Sequence, residues 1–361
     1  MVSTASPPQA VVNTLTAGRL PAAAPWGILA GSLAASAAVF ALVQVASGEE
    51  AYNIVGAVFS GLVAYVLLIY IVSRLVEGTR PATDRLVTAL VSLAFVVAML
   101  PLISLVFTVV TLGTERTDLD FFTLSMRNVL GEGGGAAHAI IGTLLMTGVA
   151  TVISVPIGLL TSIYLVEYGR GRLAQAITFL VDVMTGIPSI VAGLFAFALF
   201  EVILGPGTRV GLSGTAALTV LMLPVVVRSS EDILRLVPNE LREASYALGV
   251  PKWLTILKVV IPTAIAGIAT GIMLSIARVI GETAPLLIAA GFSNNFNWDL
   301  TEGRMQSLPV YVYYSYISQG TDFQPYIDRA WAGALTLIAI VMLLNLGARL
   351  IARIFAPKLG R

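Results

Sequence analysis

RSSEDILRLVPNELREASYALGVPKWLTILKVVIP, residues 228–262, is a charged, helix-forming stretch set inside an otherwise apolar chain. Ser229 or Ser230 can cap a helix that opens with Glu231 and Asp232, acids placed where the helix dipole favours them. Pro238 stands in a first-turn position and Gly249 in a stop position, which bounds a second short helix between them. Within it Leu241, Ala244, Ser245 and Leu248 recur at helical spacing and form one small-surfaced stripe. A short helix with a shallow face suits a groove on another protein. A helix lying in lipid headgroups needs large apolar anchors opposite a basic face, and Glu240, Glu243 and Ala244 argue against that.

Outward from this stretch the chain belongs in lipid. Hydrophobic residues make up 57% and charged residues 11%, mean hydropathy is +0.91, and a soluble domain carries about 25% charged residues. Runs long enough to cross about 30 Å of hydrocarbon lie near 26–46, 54–73, 86–111, 138–166, 173–204, 213–228, 258–292 and 330–354. The fold class expected is an all-α polytopic membrane protein with about eight transmembrane helices. The first run is too long for a secretory signal, and Arg19 alone is a thin basic flank, so it reads as a retained helix. Fifteen Lys or Arg fall in the tails and loops of one alternating class and five in the other, which places both termini on the cytoplasmic side of the membrane. A net charge of +1 gives no basic stripe for nucleic acid. There is no cysteine, and the single histidine, His138, reads as a polar residue at a helix start rather than a metal ligand.

Proline divides the runs. Pro101, Pro156, Pro188, Pro224 and Pro285 interrupt the third to seventh, whereas the first two carry neither interior proline nor charge. An interior proline frees backbone groups that only neighbouring helices or water can satisfy in a membrane. The domain organisation expected is a disordered tail at 1–25, an appendage of two helices and a linker at 26–85, a packed core at 86–354 and a short tail at 355–361. Gly186 with Gly193, and Gly267 with Gly271, offer close helix contacts. The glycine-rich loop 112–137 reads as flexible. The aromatic stretch 293–329 reads as an interfacial belt or a docking face for an external partner.

Charges inside the runs are where function is expected. Arg278 and Glu282 stand four residues apart in the seventh run, on one face if the helix is continuous. An arginine at mid-bilayer costs about 2.5–3.5 kcal/mol on insertion scales, so it should face a bundle interior, a partner or water. Pro285 frees the carbonyl of Gly281 and makes a bendable, polar turn around Glu282 and Thr283. Two readings stand: an anion pathway in which Arg278 attracts the solute and Glu282 holds the arginine in place, or an internal salt bridge that fixes packing. Asp182 in the fifth run lies near Thr185, Pro188 and Ser189, a broken polar stretch able to line a path. An interhelical hydrogen bond near the cytoplasmic interface is the favoured account of Asp182, since an acid repels an anion, with a role in gating the inner mouth as the alternative.

Glu243-Ala244-Ser245, Gly249 four residues on, then Val259, Ile261 and Pro262 resemble the EAA loop of ATP-binding-cassette (ABC) importer permeases. Ser245, Val259 and Ile261 depart conservatively from Ala, Ile and Leu, and the spacing is intact. ARVIGETAPLL at 277–287 and GIPSIVAGLFAF at 186–197 are similar to the phosphate-specific branch of that family. The resemblance implies a six-helix type I permease core plus two extra N-terminal helices. It implies a coupling helix at Glu243, Ala244, Ser245 and Gly249 seated in a separate ATPase dimer. It also implies a paralogous permease partner, an extracytoplasmic phosphate-binding protein, and Arg278 and Glu282 as residues important to transport. The chain has no glycine-rich loop ending in Gly-Lys-Ser or Gly-Lys-Thr, so it is expected to be no enzyme and to bind no cofactor, with ATP held by the partner. Sulfate or molybdate permeases are the nearest rivals. An ion-coupled carrier would call for paired repeats of broken segments, and a scaffold would need no buried arginine.

Overall fold

The computed structural model describes residues 18–47 and 52–355, and among these every regular element is helical. Two compact units result, 1–105 and 106–361. Most of the tail assigned to 1–25, and all but the first residue of that at 355–361, lie outside the described residues.

The first unit holds helix α1 (Ala24–Ser47), α2 (Ile54–Val76) and the greater part of α3 (Thr79–Gly113). α1 and α2 pack as a hairpin. Ser36 donates to the carbonyl of Ala57 at 2.6 Å and lies 2.7 Å from the Ser60 hydroxyl, the kind of polar contact that joins helices in lipid. The division between units falls inside α3, beyond the boundary at residue 85 expected from charge and proline. The reason is local: Arg85, one turn and more into α3, forks onto Glu77 at the end of α2 through Nε at 2.6 Å and Nη2 at 2.9 Å.

The second unit begins with a short helix α4 (Leu119–Thr123) and then α5 (Ala137–Ile163), which ends in a wide π turn at Tyr164–Tyr168. The fifth run is not one helix. α6 (Arg172–Thr185) and α7 (Ser189–Leu204) meet at 106° around Gly186–Pro188, because Pro188 leaves no donor to continue the ladder and biases Ile187 away from helix. α8 (Gly211–Arg235) follows, then α9 (Asn239–Ala247), α10 (Lys252–Thr255), a second π turn at Ile256–Val260, and α11 (Ile261–Ile280). α12 (Ala284–Ala289), α13 (Leu308–Ile317) and α14 (Gln324–Phe355) complete the chain. Among the described residues, seven helices are long and apolar enough to cross a membrane, and the bent pair α6–α7 makes an eighth if it counts as one crossing.

α8 is the axis of this unit, packed by α5, α7, α11 and α12. Met146 and Ala150 of α5, Leu218, Met222 and Val226 of α8, and Ile276 and Val279 of α11 close one apolar core. Glycine permits the approach. A Cβ on Gly267 would meet Ile233, one on Gly271 would meet Ser229, and one on Gly193 would fall 2.5 Å from Cα of Pro285. Gly186, expected to do the same, instead sits at the α6–α7 break, with nothing nearer than its own preceding turn.

Candidate coupling helix and translocation site

α9 is bounded as its sequence implies, but the helix expected to open at Glu231 is no separate element. Ser229 and Ser230 lie inside α8, which runs on to Arg235, and the Ser229 hydroxyl bonds back to the carbonyl of Val225 at 2.7 Å. Pro238 is the residue before α9 rather than part of its first turn. Gly249 ends the turn with φ +77°, a conformation that costs an L-residue with a side chain roughly 1–2 kcal/mol. Its N–H donates to Tyr246 O, and Val250 N–H reaches Ser245 O.

The residues of α9 divide by face. Arg242 is turned inward, pairing with Glu167 at 2.9 Å and donating to the carbonyls of Leu234 and Val237. Lys252 donates to the carbonyl of Glu167 and stands 4.8 Å over the Tyr168 ring. Ser245 is buried, its hydroxyl 2.8 Å from that of Thr255. It therefore supports the turn instead of sharing an outer stripe with Leu241, Ala244 and Leu248, as the spacing suggested. The outer face is Glu243, Ala244 and Ala247 with Leu241, Tyr246 and Leu248, and Leu248 is 83% exposed. Trp253 of α10 is exposed beside it in sequence. The face is thus larger and more apolar than the small stripe read from spacing.

Arg278 and Glu282 do not form the expected pair. α11 ends at Ile280, Gly281 caps it, and Glu282 and Thr283 occupy the break before α12. Glu282 N–H donates to Val279 O and Leu287 N–H to Thr283 O. The chain leaves the helix one residue before Glu282, because Pro285 at the start of α12 cannot donate to a continued ladder. Among the described residues neither side chain has a hydrogen bond or an ion pair within 4.0 Å; Arg278 is exposed and Glu282 half-buried.

The heights of these groups follow from α8. Gly271 of α11 packs on Ser229, and Ala290, just past α12, packs on Gly214. From Gly271 to Arg278 the helix rises about 10 Å, which sets Arg278 between those two contacts, near the middle of the bundle. α7 packs on α12 through Gly193 and Pro285, so the second halves of both broken runs adjoin. Ser189, half-buried, is the first residue of α7. Asp182 is elsewhere: it pairs with Arg228 near the far end of α8, at the level of Gly271. Arg228 also holds Glu231 at 2.9 Å, and Glu231 holds Arg235 at 2.7 Å. This is the interhelical bond that was the alternative to a pathway role for Asp182. A cavity of about 390 Å³ lies between Leu165, Thr178, Asp182, Glu231 and Arg235.

Two features escaped the sequence. Loop 112–137 is not slack: Arg116 Nη2 donates to Gly134 O at 2.8 Å, and Arg329 Nη1 donates to Gly131 O at 2.6 Å and Gly133 O at 3.0 Å. Arg329 is fully buried, with its guanidinium 4.6 Å over the Tyr326 ring. Within the aromatic stretch, Met305–Leu308 and Tyr311 are core, and His138 meets Gln306 Oε1 at 2.9 Å. Phe296, Trp298, Tyr316 and Phe323 remain on the surface. The available signal was Arg116, which stands before the run of glycines in sequence; Arg329 is too distant to be read with them.

This arrangement has relatives. Residues 154–361 match the family described as binding-protein-dependent transport system inner membrane component. The phosphate transport system permease protein PstA 1 of Mycobacterium tuberculosis (strain CDC 1551 / Oshkosh) is 47% identical over 284 residues, 78% of this chain and 92% of that protein. The phosphate transport system permease protein PstA of Pasteurella multocida (strain Pm70) is 41% identical over 280 residues, 77% of this chain and 96% of that protein. Among solved structures, a bacterial ABC transporter involved in the import of the acidic polysaccharide alginate aligns with TM-score 0.52 at 13% identity, over 75% of this chain and 96% of its own. That last likeness concerns the fold alone. A family match over more than half of the chain, together with relatives matched over nearly their whole length, settles its membership: the protein belongs to the binding-protein-dependent transport system inner membrane components, the permeases of ABC importers.

Proposed function

We propose that this chain passes inorganic phosphate across the membrane as one permease subunit of an ABC importer, with a paralogous permease beside it, an ATPase dimer seated on α9 and an extracytoplasmic binding protein on the opposite side. Both termini face the cytoplasm in this reading. The observation that carries it is Arg278: a cation without a partner among the described residues, at mid-bundle and beside a break in the helix. An irregular backbone at membrane depth is tolerated only inside protein or along water, and a cation there favours an anion. The relatives named for phosphate transport support the choice of anion.

In this assignment Arg278 meets the phosphate, while Glu282, Thr283 and Ser189 are the neighbouring polar groups of the two breaks. Glu282 limits how tightly an anion is held, so the solute can leave. Asp182 acts at the inner mouth, where its pair with Arg228 joins α6 to α8. Glu243 and Ala244 present the coupling face; Ser245 and Gly249 shape the turn behind it. Vesicles carrying both permeases, the ATPase and the binding protein test the reading: ATP-dependent uptake of radiolabelled phosphate is expected, uncompeted by equal sulfate or molybdate. Uptake of sulfate or molybdate in preference to phosphate would transfer the assignment to that oxyanion.

A further inference from the structure

A cavity of about 870 Å³ lies wholly within the first unit, and transport makes no use of it. Its polar end is formed where α1 begins, α2 ends and α3 begins, by Arg19, Glu77, Asp84 and Arg85. Its walls are Trp26 and Leu29 of α1, Tyr65 and Ile69 of α2, and Leu93 and Val96 of α3. From Arg85 to Val96 the helix rises about 16 Å, and from Glu77 back to Tyr65 about 18 Å. Half of the hydrocarbon thickness is about 15 Å. The groove is therefore charged at one end and, apart from Thr88, Ser92 and the Tyr65 hydroxyl, apolar over about the depth of one leaflet.

The charges at its mouth select the occupant. Glu77 is already satisfied by Arg85, by the Ser73 hydroxyl at 2.7 Å and by the N–H of Leu20 at 2.8 Å. Arg19 and Asp84 make no hydrogen bond and no ion pair within 4.0 Å among the described residues, although both line the cavity, and Arg85, whose field Asp84 shares, is already forked onto Glu77. The mouth therefore offers one cation and one anion not engaged by direct contact, which together complement a zwitterion. An anionic headgroup would meet Asp84 with no cation of its own, and a quaternary ammonium would bring it no N–H. Trp26, exposed near the polar end, is the residue type that sits at the headgroup level.

We propose that this groove holds one zwitterionic phospholipid with a primary-amine headgroup, its phosphate toward Arg19, its ammonium toward Asp84 and an acyl chain along Leu29, Ile69, Leu93 and Val96. The site rests on α1–α3 being membrane helices and not on which solute is carried. Native mass spectrometry of the full chain in its assembled complex, delipidated and resupplied with phosphatidylethanolamine, phosphatidylcholine and phosphatidylglycerol in equal amounts, reads it directly. One phosphatidylethanolamine is expected to remain, favoured by about threefold, the ratio that an exposed ion pair supports. Asp84→Asn and Arg19→Gln should each abolish the preference while leaving phosphate uptake unchanged. The chain has no cysteine, so Ser92→Cys carries the only site for a thiol-linked photoprobe inside the groove, and the adduct should be lipid. No retained lipid, retention indifferent to headgroup in the wild type, or a crosslink to residues 1–17 or to a second copy of the chain would each overturn the proposal.

Discussion

Replacing Arg278 by Gln removes a charge, keeps the length of the side chain roughly the same, and separates a solute-binding role from a structural one. A buried ion pair loses about 3–5 kcal/mol when one partner is removed, because the other is left charged and alone. Arg278 and Glu282 lie on opposite sides of the α11 terminus and are not paired in the described structure. Arg278→Gln and Glu282→Gln should therefore each leave the complex assembled. Their effects on its thermal stability should add within about 0.5 kcal/mol in a double-mutant cycle. Transport should behave otherwise. A hydrogen bond to a charged group contributes about 1.5–3 kcal/mol, so loss of the guanidinium should lower phosphate uptake by roughly 10- to 150-fold, with ATP hydrolysis and ATPase co-purification retained. The assay is initial-rate uptake in vesicles containing both permeases, the ATPase and the binding protein. Uptake within twofold of the wild type would refute the pathway role. So would recovery of uptake in the double variant, since it would mean that the two charges had only been compensating each other.

Three further expectations follow from single positions. Gly249→Val places a β-branched residue at φ +77°, a strain of about 1–3 kcal/mol, and should reduce ATPase co-purification and uptake with membrane insertion unchanged; normal co-purification would count against α9 as the docking helix. Gly193→Val drives a side chain into Pro285, whose Cα would lie 2.5 Å from the new Cβ, and overpacking of this kind costs about 1–3 kcal/mol; a lowered melting temperature of the purified chain is expected, and an unchanged one would mean that α7 and α12 do not hold that contact. Glu77 is held down to about 2 from an ordinary 4.5, first by Arg85 and then by Ser73. Because the folded value is depressed, its stabilisation is complete above about pH 4.5 and is lost as pH falls through 2, so the difference in melting temperature between wild type and Glu77→Gln should be constant near neutrality and shrink on acidification below that point.

The spans were legible because twenty apolar residues in a row have few alternatives in water or lipid, and Pro188 and Pro285 announced the two breaks. What could not be read was which side of a break a neighbour falls on. Arg278 and Glu282 looked like helix neighbours only on the assumption of a continuous ladder, and Gly281 with Pro285 ends it between them. Ser229 and Ser230 looked like caps because charge begins there, yet α8 continues to Arg235 and the Ser229 hydroxyl simply bonds back to Val225 within the helix. Ser245 turned inward because Thr255, ten residues on, supplies a hydroxyl for it. The glycine loop read as flexible because the residue that binds it, Arg329, is nearly two hundred positions away. Local pattern reports periodicity well and partners poorly.

In the proposed assembly, the anchoring of α9 determines what an ATPase seated on it can move. Through Arg242 the helix is fixed to Glu167, at the π turn that ends α5, and to the last carbonyls of α8. Lys252 adds a second tie to Glu167. A displacement of α9 therefore travels to α5 and α8 together, which are packed along each other over much of their length. α6 is joined to that pair differently. Arg228 of α8 reaches Asp182, whose side chain is 58% exposed, and an exposed ion pair holds only about 0.2–1 kcal/mol. Apolar packing joins α6 to the pair as well, because Val181 is buried against Leu165 of the π turn and Val227 of α8. The polar ties of α9 thus run to α5 and α8, whereas α6 is held by that apolar contact and by the weak Asp182–Arg228 pair beside the cavity lined by Thr178, Asp182 and Glu231, at the end of the bundle that carries α9.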